Sequence, residues 1–230
     1  MPSVTLFAGP STHGIDAATL LAGGVALRSP ARRSDIDRLL AGAREPGVIV
    51  LCDGIFHAHP AVSHAELCRA LDAGWQIWGV SSLGAIRAFE LRHEGMRGYG
   101  YVYAQFERHV DFTDDETCLL HFPEAPYFAV SEPLVNLRYA LEARGASLGI
   151  SQASADEVLS AMKSLWFGDR TPEAMREALG RAGVVPDRAD ELMHWLSRHR
   201  VKEMDLVRLM AERPWLGRAG RDPPSARADR

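Results

Sequence analysis

The sequence predicts an α/β fold: a small, mostly parallel sheet built from βαβ units, covered by helices, with a helical C-terminal half. Three features point to it. Val48–Leu51 (VIVL) is a continuous apolar run, the pattern of a strand buried on both faces. Gln76–Val80 (QIWGV) is a second short buried run, with Ile77, Trp78 and Val80 as its apolar residues. Between the two, Ser63 followed by Glu66 reads as a capping box that opens a helix to Ala73, and Gly74 stops it. Strand, helix and strand in that order make a βαβ unit with a right-handed crossover.

The remaining elements follow along the chain. Residues 3–8 (SVTLFA) read as a first strand that ends in Gly9-Pro10-Ser11. A short helical stretch follows, with Ala17, Leu20 and Leu21 on one face. Residues 28–33 (RSPARR) form an extended or turning segment broken by Pro30, after which Ser34 or Asp35 caps a helix through Leu39 and Leu40. Residues 83–90 form a helix directly after the second buried strand. Gly95, Gly98 and Gly100 interrupt the chain without following an expected strand, which argues against a nucleotide loop. Tyr99, Tyr101 and Tyr103 alternate, but the Gln-Phe-Glu-Arg after them favours a helix that buries aromatic edges. From residue 131 the texture changes, and 132–141, 153–167, 172–182 and 189–210 all read as helices. One domain over 1–213 is expected, with a sheet-forming portion over 1–130 and a helical portion over 131–213. Residues 214–230, rich in Arg, Pro, Gly and Ala from Gly217 on, are an expected disordered tail.

Bulk properties narrow the function. The 230 residues are 47% hydrophobic and 24% charged, values of a globular chain. A net charge of −4 leaves no basic footprint, so no nucleic-acid partner is expected. There is no apolar run of about eighteen residues, so no membrane span is expected either. The start, MPSVTLFA, carries no charged segment and no small-residue cleavage site. With three scattered cysteines, Cys52, Cys68 and Cys118, a cytoplasmic protein is the expectation.

The densest chemistry lies in residues 76–90 (QIWGVSSLGAIRAFE). Ser81 and Ser82 sit in a sharp strand-to-helix turn crowded by Gly79, Gly84 and Ala85. A hydroxyl there faces the C-terminal edge of the sheet, beside free N–H groups of the next helix, which is the logic of a nucleophile elbow. Centring on Ser82 puts Val80 where that motif has its first glycine. The competing reading is an ordinary serine N-cap. Asp53-Gly54 ends the 48–51 strand where open α/β sheets place ligands, or else forms a plain turn. His57, His59 and His64 invite a metal reading, but no carboxylate or cysteine pattern completes a shell, and neither metal nor cofactor is expected. Asp114, Asp115 and Glu116 form either a docking surface or a favourable helix start.

The chain has two lysines, Lys163 and Lys202, among 26 lysines plus arginines. At about 100° per residue, Leu192, Trp195, His199, Leu206, Leu209 and Met210 share one face of the last helix, with Lys202 amid them. A lysine in an apolar stripe is either desolvated, which suits a general base, or snorkels out or pairs with a carboxylate such as Asp205. Lys163 lies at the edge of the stripe Val158, Met162, Leu165 and Trp166.

Several motifs recur in one order: F-x-G-P-S at 7–11, R-S-D-I at 33–36, D-G-x-F at 53–56, P-A-V-x-H-x-E-L at 60–67 and S-S-L-G-A-I-R-A-x-E-L at 81–91. Gly95-Met96 with Gly98, D-D-E at 114–116, S-E-P-x-V-N-x-R at 131–138, F-x-x-R-T at 167–171 and K-x-x-D at 202–205 follow. On these the chain resembles TfuA-like proteins, partners of YcaO enzymes in peptide-backbone thioamidation during the maturation of ribosomally made peptides. The resemblance implies hydrolysis of the thiocarboxylated C-terminus of a ThiS-like sulfur-carrier protein, with sulfide released beside a YcaO enzyme that activates the precursor peptide or protein. It also implies a Ser–Lys pair. Ser82 is carried over as the serine, and Lys202, by the burial argument, is preferred to Lys163 as the base. Ser81, Leu83, Gly84, Arg87, Asp53 and Gly54 are the expected oxyanion and substrate-positioning residues. His64, Glu66, Asp114, Asp115, Glu116, Asn136 and Arg138 are expected to meet the carrier or partner. One departure stands out: the family commonly shows His-Lys-Glu where this chain has His64-Ala65-Glu66. The alternative to a hydrolase is a non-catalytic adaptor that docks YcaO with its peptide substrate. A general serine esterase is a third reading, and it lacks a clear His/Asp triad order.

Overall fold

The structure, a computed structural model, describes residues 2–54 and 60–217. His57, His59 and the tail beyond Gly217 lie outside the described residues.

Five parallel strands form one sheet: β1 (Val4–Phe7), β2 (Ala26–Arg28), β3 (Val48–Leu51), β4 (Gln76–Val80) and β5 (Arg97–Tyr99), in the order β2-β1-β3-β4-β5. Alternate residues of the central strands feed two cores. Val4, Leu6, Val48, Val50, Trp78 and Val80 face α1 (Ala17–Leu21) and α10 (Val201–Glu212), meeting Leu20, Leu206, Leu209 and Met210. Phe7, Ile49, Leu51 and Ile77 face the opposite side, packing with α2 (Asp35–Gly42), α3 (His64–Asp72) and the end of α4 (Leu83–Glu90). Both faces are covered, which is why VIVL is apolar throughout.

The strand–helix–strand unit forms as expected. Ser63 Oγ accepts from the Glu66 N–H while the Glu66 carboxylate accepts from the Ser63 N–H. After α3 the chain turns at Gly74, φ +87°. The small residues around the serine turn serve close packing: a Cβ on Gly84 would lie 1.7 Å from the Leu51 carbonyl oxygen, and one on Gly79 would lie 2.0 Å from the Gly84 oxygen. Thus α4 rests almost on the backbones of β3 and β4.

Some elements differ from the expectation. β2 runs into the first residue, Arg28, of the segment read as extended or turning, and β5 spans Gly98, so that glycine lies within a strand. α5 (Gly100–Arg108) follows at once. Residues 132–141 shorten to α6 (Leu134–Ala140), followed by a wider turn over Leu141–Gly145. α7 (Gln152–Lys163) stops before Phe167, and α8 (Pro172–Arg181) is as read. The stretch 189–210 is two helices, α9 (Pro186–Arg198) and α10, broken at His199 and Arg200. There His199 Nδ1 bonds the Trp195 carbonyl at 2.8 Å with its ring stacked on the indole, while Arg200 turns away to Glu132. The apolar stripe assumed for one helix is therefore shared by two cores: Leu192 packs in the α6–α9 bundle and Leu206 against the sheet.

Candidate functional site

The strand order fixes where a site can form. From β1 the chain moves outward to β2, and from β3 it runs the other way to β4 and β5. The connections diverge between β1 and β3, opening a crevice at their C-terminal ends. The turn after β1 carries Gly9 to Ser11, and the turn after β3 carries Cys52 to Gly54.

Asp53 ties the two turns together. Its carboxylate, 2% exposed, accepts from the Gly9 N–H at 2.8 Å, the Ser11 N–H at 2.9 Å and the Ser11 hydroxyl at 2.7 Å. Next to it, burial pushes the Cys52 thiol well above its ordinary pKa, with the Asp53 charge adding to the rise and the hydroxyls of Ser81 and Ser11 opposing it.

Lys202 closes the crevice from the start of α10. Ser81, held in the left-handed region at φ +65°, donates its hydroxyl to the Lys202 carbonyl at 2.6 Å. The Lys202 N–H donates to Asn136 Oδ1 at 3.4 Å, and Nζ donates to the Thr117 carbonyl at 2.8 Å. A lysine only 3% exposed is thus fixed at backbone and head. Asp205, the carboxylate weighed as its partner, instead accepts the Tyr101 and Val102 N–H groups at 3.0 and 2.9 Å and caps α5. Burial raises the Asp205 carboxyl to about 6, against the pull of those two bonds.

Between these walls lies a cavity of about 140 Å3. It is lined by Pro10, Ser11 and His13 of the β1 turn, by Asn136, Arg200, Lys202 and Glu203, and by Leu119, Phe128, Ala129, Glu132 and Pro133. Arg200 Nε donates to both Glu132 oxygens at 3.2 and 3.0 Å, and Asn136 Nδ2 donates to Glu132 at 2.6 Å. Burial lifts the Glu203 carboxyl to about 7, with Arg200 pulling it down and Glu132 pushing it up. The cavity therefore joins a hydroxyl, an amine, a guanidinium and a carboxyl that titrates near neutrality.

Ser82 is 4% exposed at the N-terminus of α4 and makes no capping bond. It is not among the residues lining the cavity. Of the expected oxyanion donors, the Gly84 N–H already donates to the Cys52 carbonyl at 3.0 Å, so it is occupied. The Leu83 N–H has no acceptor among the described residues. Gly54 packs against Leu83. Arg87 donates to the Val62 carbonyl at 3.1 Å and pairs with Glu90, which also meets His64 at 2.8 Å.

Lys163 lies elsewhere, bonded to the Asp111 carbonyl and, at 3.2 Å, to Glu116. Glu116 is fully buried and holds the partly buried Arg138 through bonds of 2.8 and 3.0 Å, which tie the acidic triplet to α6. Glu66 likewise is buried in the capping box and also accepts from the Ser34 N–H. Asp115 pairs with the buried Arg170. Asp114 and Asp115 rim an apolar cleft between Ile86, Phe89, Phe106 and Phe112, leaving that end of the acidic triplet reachable. Asn136 does reach the cavity. Sequence reasoning missed Ser11, Arg200 and Glu203; the F-x-G-P-S motif was a signal for the first, but its position relative to Lys202 depends on strand order.

Among the described residues no three His, Cys, Asp or Glu side chains gather to hold a metal, and no helix is long and apolar enough to cross a membrane. A family model described as TfuA-like protein matches residues 53–171. No curated protein matches the chain.

Proposed function

The chain belongs to the TfuA-like family, and from that premise we propose that it hydrolyses the thiocarboxylated C-terminus of a ThiS-like carrier protein to supply sulfide to a YcaO enzyme. YcaO partnering is associated with the family in general. The supporting observation is Lys202, a lysine 3% exposed and held by three hydrogen bonds, lining a narrow cavity at the divergence point of the sheet.

In this reading the carrier's flexible tail enters past Phe128 and places its thiocarboxylate beside the Lys202 amine. A serine hydroxyl attacks the thioacid carbon, the C–S bond breaks, and the hydroxyl proton ends on the departing sulfur as hydrosulfide. Water then cleaves the acyl-serine. The sum is thiocarboxylate plus water giving carboxylate plus hydrogen sulfide. Lys202 relays the proton in the first step. Ser82 and Ser11 are the hydroxyls of this sheet edge to consider.

The test is sulfide release from a thiocarboxylated carrier by the full chain and by Lys202→Met. Loss of the amine costs a rate factor of about 100 or more. Equal rates remove Lys202 from the chemistry.

A docking role has its own support. Phe122, Phe128 and Val130 are 60, 54 and 43% exposed on the segment paired through His121 and Ala129. An exposed apolar group of this kind marks a contact surface. Retained YcaO binding by a chain that releases no sulfide would favour the adaptor.

A further inference from the structure

We propose that Ser11 is the residue acylated during the reaction, an assignment that rests on the hydrolase reading above. Ser11 and Ser82 are equally little exposed, 4% each, so exposure does not separate them. Their surroundings do. Ser11 lines the cavity that also holds Lys202, Arg200 and Glu203. Ser82 stands on the α4 side, where the turn is closed by Gly84 lying on the Leu51 carbonyl of β3 and Gly79 of β4 lying on the Gly84 carbonyl.

The two serine turns also differ in what holds them. The Gly9–Ser11 turn is fastened by a buried carboxylate through two backbone N–H groups and the Ser11 hydroxyl. The hydrogen bond to Asp53 fixes the rotamer of Ser11 Oγ and leaves lone pairs on the oxygen. Asp53 positions the turn and, because the Ser11 O–H points at it, is the first group to meet that proton as the oxygen attacks. At the other turn, Ser81 spends its hydroxyl on the Lys202 carbonyl, which sets the start of α10. Ser81 after β4 thus braces the wall that carries the amine, while Ser11 after β1 lines the cavity.

Ser11 Oγ bonds to the thioacid carbon, the C–S bond breaks, and the Ser11 proton leaves with sulfur as hydrosulfide. Water then restores Ser11 and gives the carboxylate and a proton. No oxidant or metal is required by this balance.

The experiment compares sulfide release by wild type, Ser11→Ala and Ser82→Ala, all as the full chain. It also uses Ser11→Cys and Ser82→Cys, quenched in acid and mapped by mass spectrometry. The expected result is a loss of about 100-fold or more for Ser11→Ala, at least about tenfold greater than any loss in Ser82→Ala, and a carrier adduct at position 11 of Ser11→Cys. Loss in Ser82→Ala with retention in Ser11→Ala overturns the assignment and leaves the hydrolase reading standing. If both alanine variants lose release, the adduct decides: at position 11 it supports the assignment, and at position 82 or at neither position it overturns it. Release retained by both overturns it as well. No release by wild type overturns both the assignment and the reading beneath it.

Discussion

Asp53→Ala is the substitution whose cost follows most directly from the structure. The carboxylate is 2% exposed and accepts three hydrogen bonds, two of them from the N–H groups of Gly9 and Ser11. Truncation leaves those two donors buried without a partner, at about 1–3 kcal/mol each, while the Ser11 hydroxyl can swing into the cavity at small cost. The expected loss is therefore about 3–5 kcal/mol, a large share of the roughly 5–15 kcal/mol that holds a domain together. Asp53→Asn keeps one oxygen for the backbone donors and exchanges charge-assisted bonds for neutral ones, at about 1–2 kcal/mol. Equilibrium urea unfolding reads both, as a lower midpoint with unchanged slope. An Asp53→Ala chain that unfolds at the wild-type midpoint, or an Asn variant as damaged as the Ala variant, would refute the account of Asp53 as the tie between the β1 and β3 turns.

Three further outcomes are expected. Gly84→Ala sets a methyl 1.7 Å from the Leu51 carbonyl oxygen, so α4 must lift from β3; the urea midpoint falls by the equivalent of about 3 kcal/mol. Glu116→Gln strands the Arg138 guanidinium and the Lys163 amine beside a neutral group and costs about 3 kcal/mol, the low end for a broken buried pair because both cations keep some water contact; thermal melting checks it. Glu203 holds its proton in the fold up to about pH 7 but loses it near 4.5 when unfolded. The folded chain thus carries the extra proton between those values, and this residue's contribution to stability is full below about 4.5 and declines as pH rises through 7. Glu203→Gln should flatten the fall in melting temperature over that window, and an unchanged pH profile would contradict the burial of that carboxyl.

The elements of the fold legible in the sequence were those set by local pattern. The VIVL run, the Ser63–Glu66 capping box and the small residues around Ser81 and Ser82 each specify their own backbone. β2 and β5 were not legible because three-residue strands have too short a period to register. The break at His199 carries no Gly or Pro. It is made by a local side-chain bond from His199 back to the Trp195 carbonyl and by the pull of Glu132 on Arg200, which is tertiary. Sequence left open whether Lys202 is desolvated, snorkels or pairs, and placed it on a helix that is in fact two. The lysine is buried because Ser81, Asn136 and Thr117 hold it, not because it lies in a continuous stripe. Ser11 could not be ranked against Ser82 from spacing. Which turn faces the cavity depends on β1 lying between β2 and β3, and no local pattern encodes that order.

Everything about function turns on whether water, aided by this chain, replaces the sulfur of the carrier's thioacid. The direct measurement is incubation of the full chain with a thiocarboxylated carrier in heavy-oxygen water, followed by intact-mass analysis of the carrier. The account predicts that the carrier's C-terminus loses sulfur and gains one labelled oxygen, with one sulfide released per carrier. A carrier that keeps its sulfur at the uncatalysed rate would contradict it and leave a docking protein.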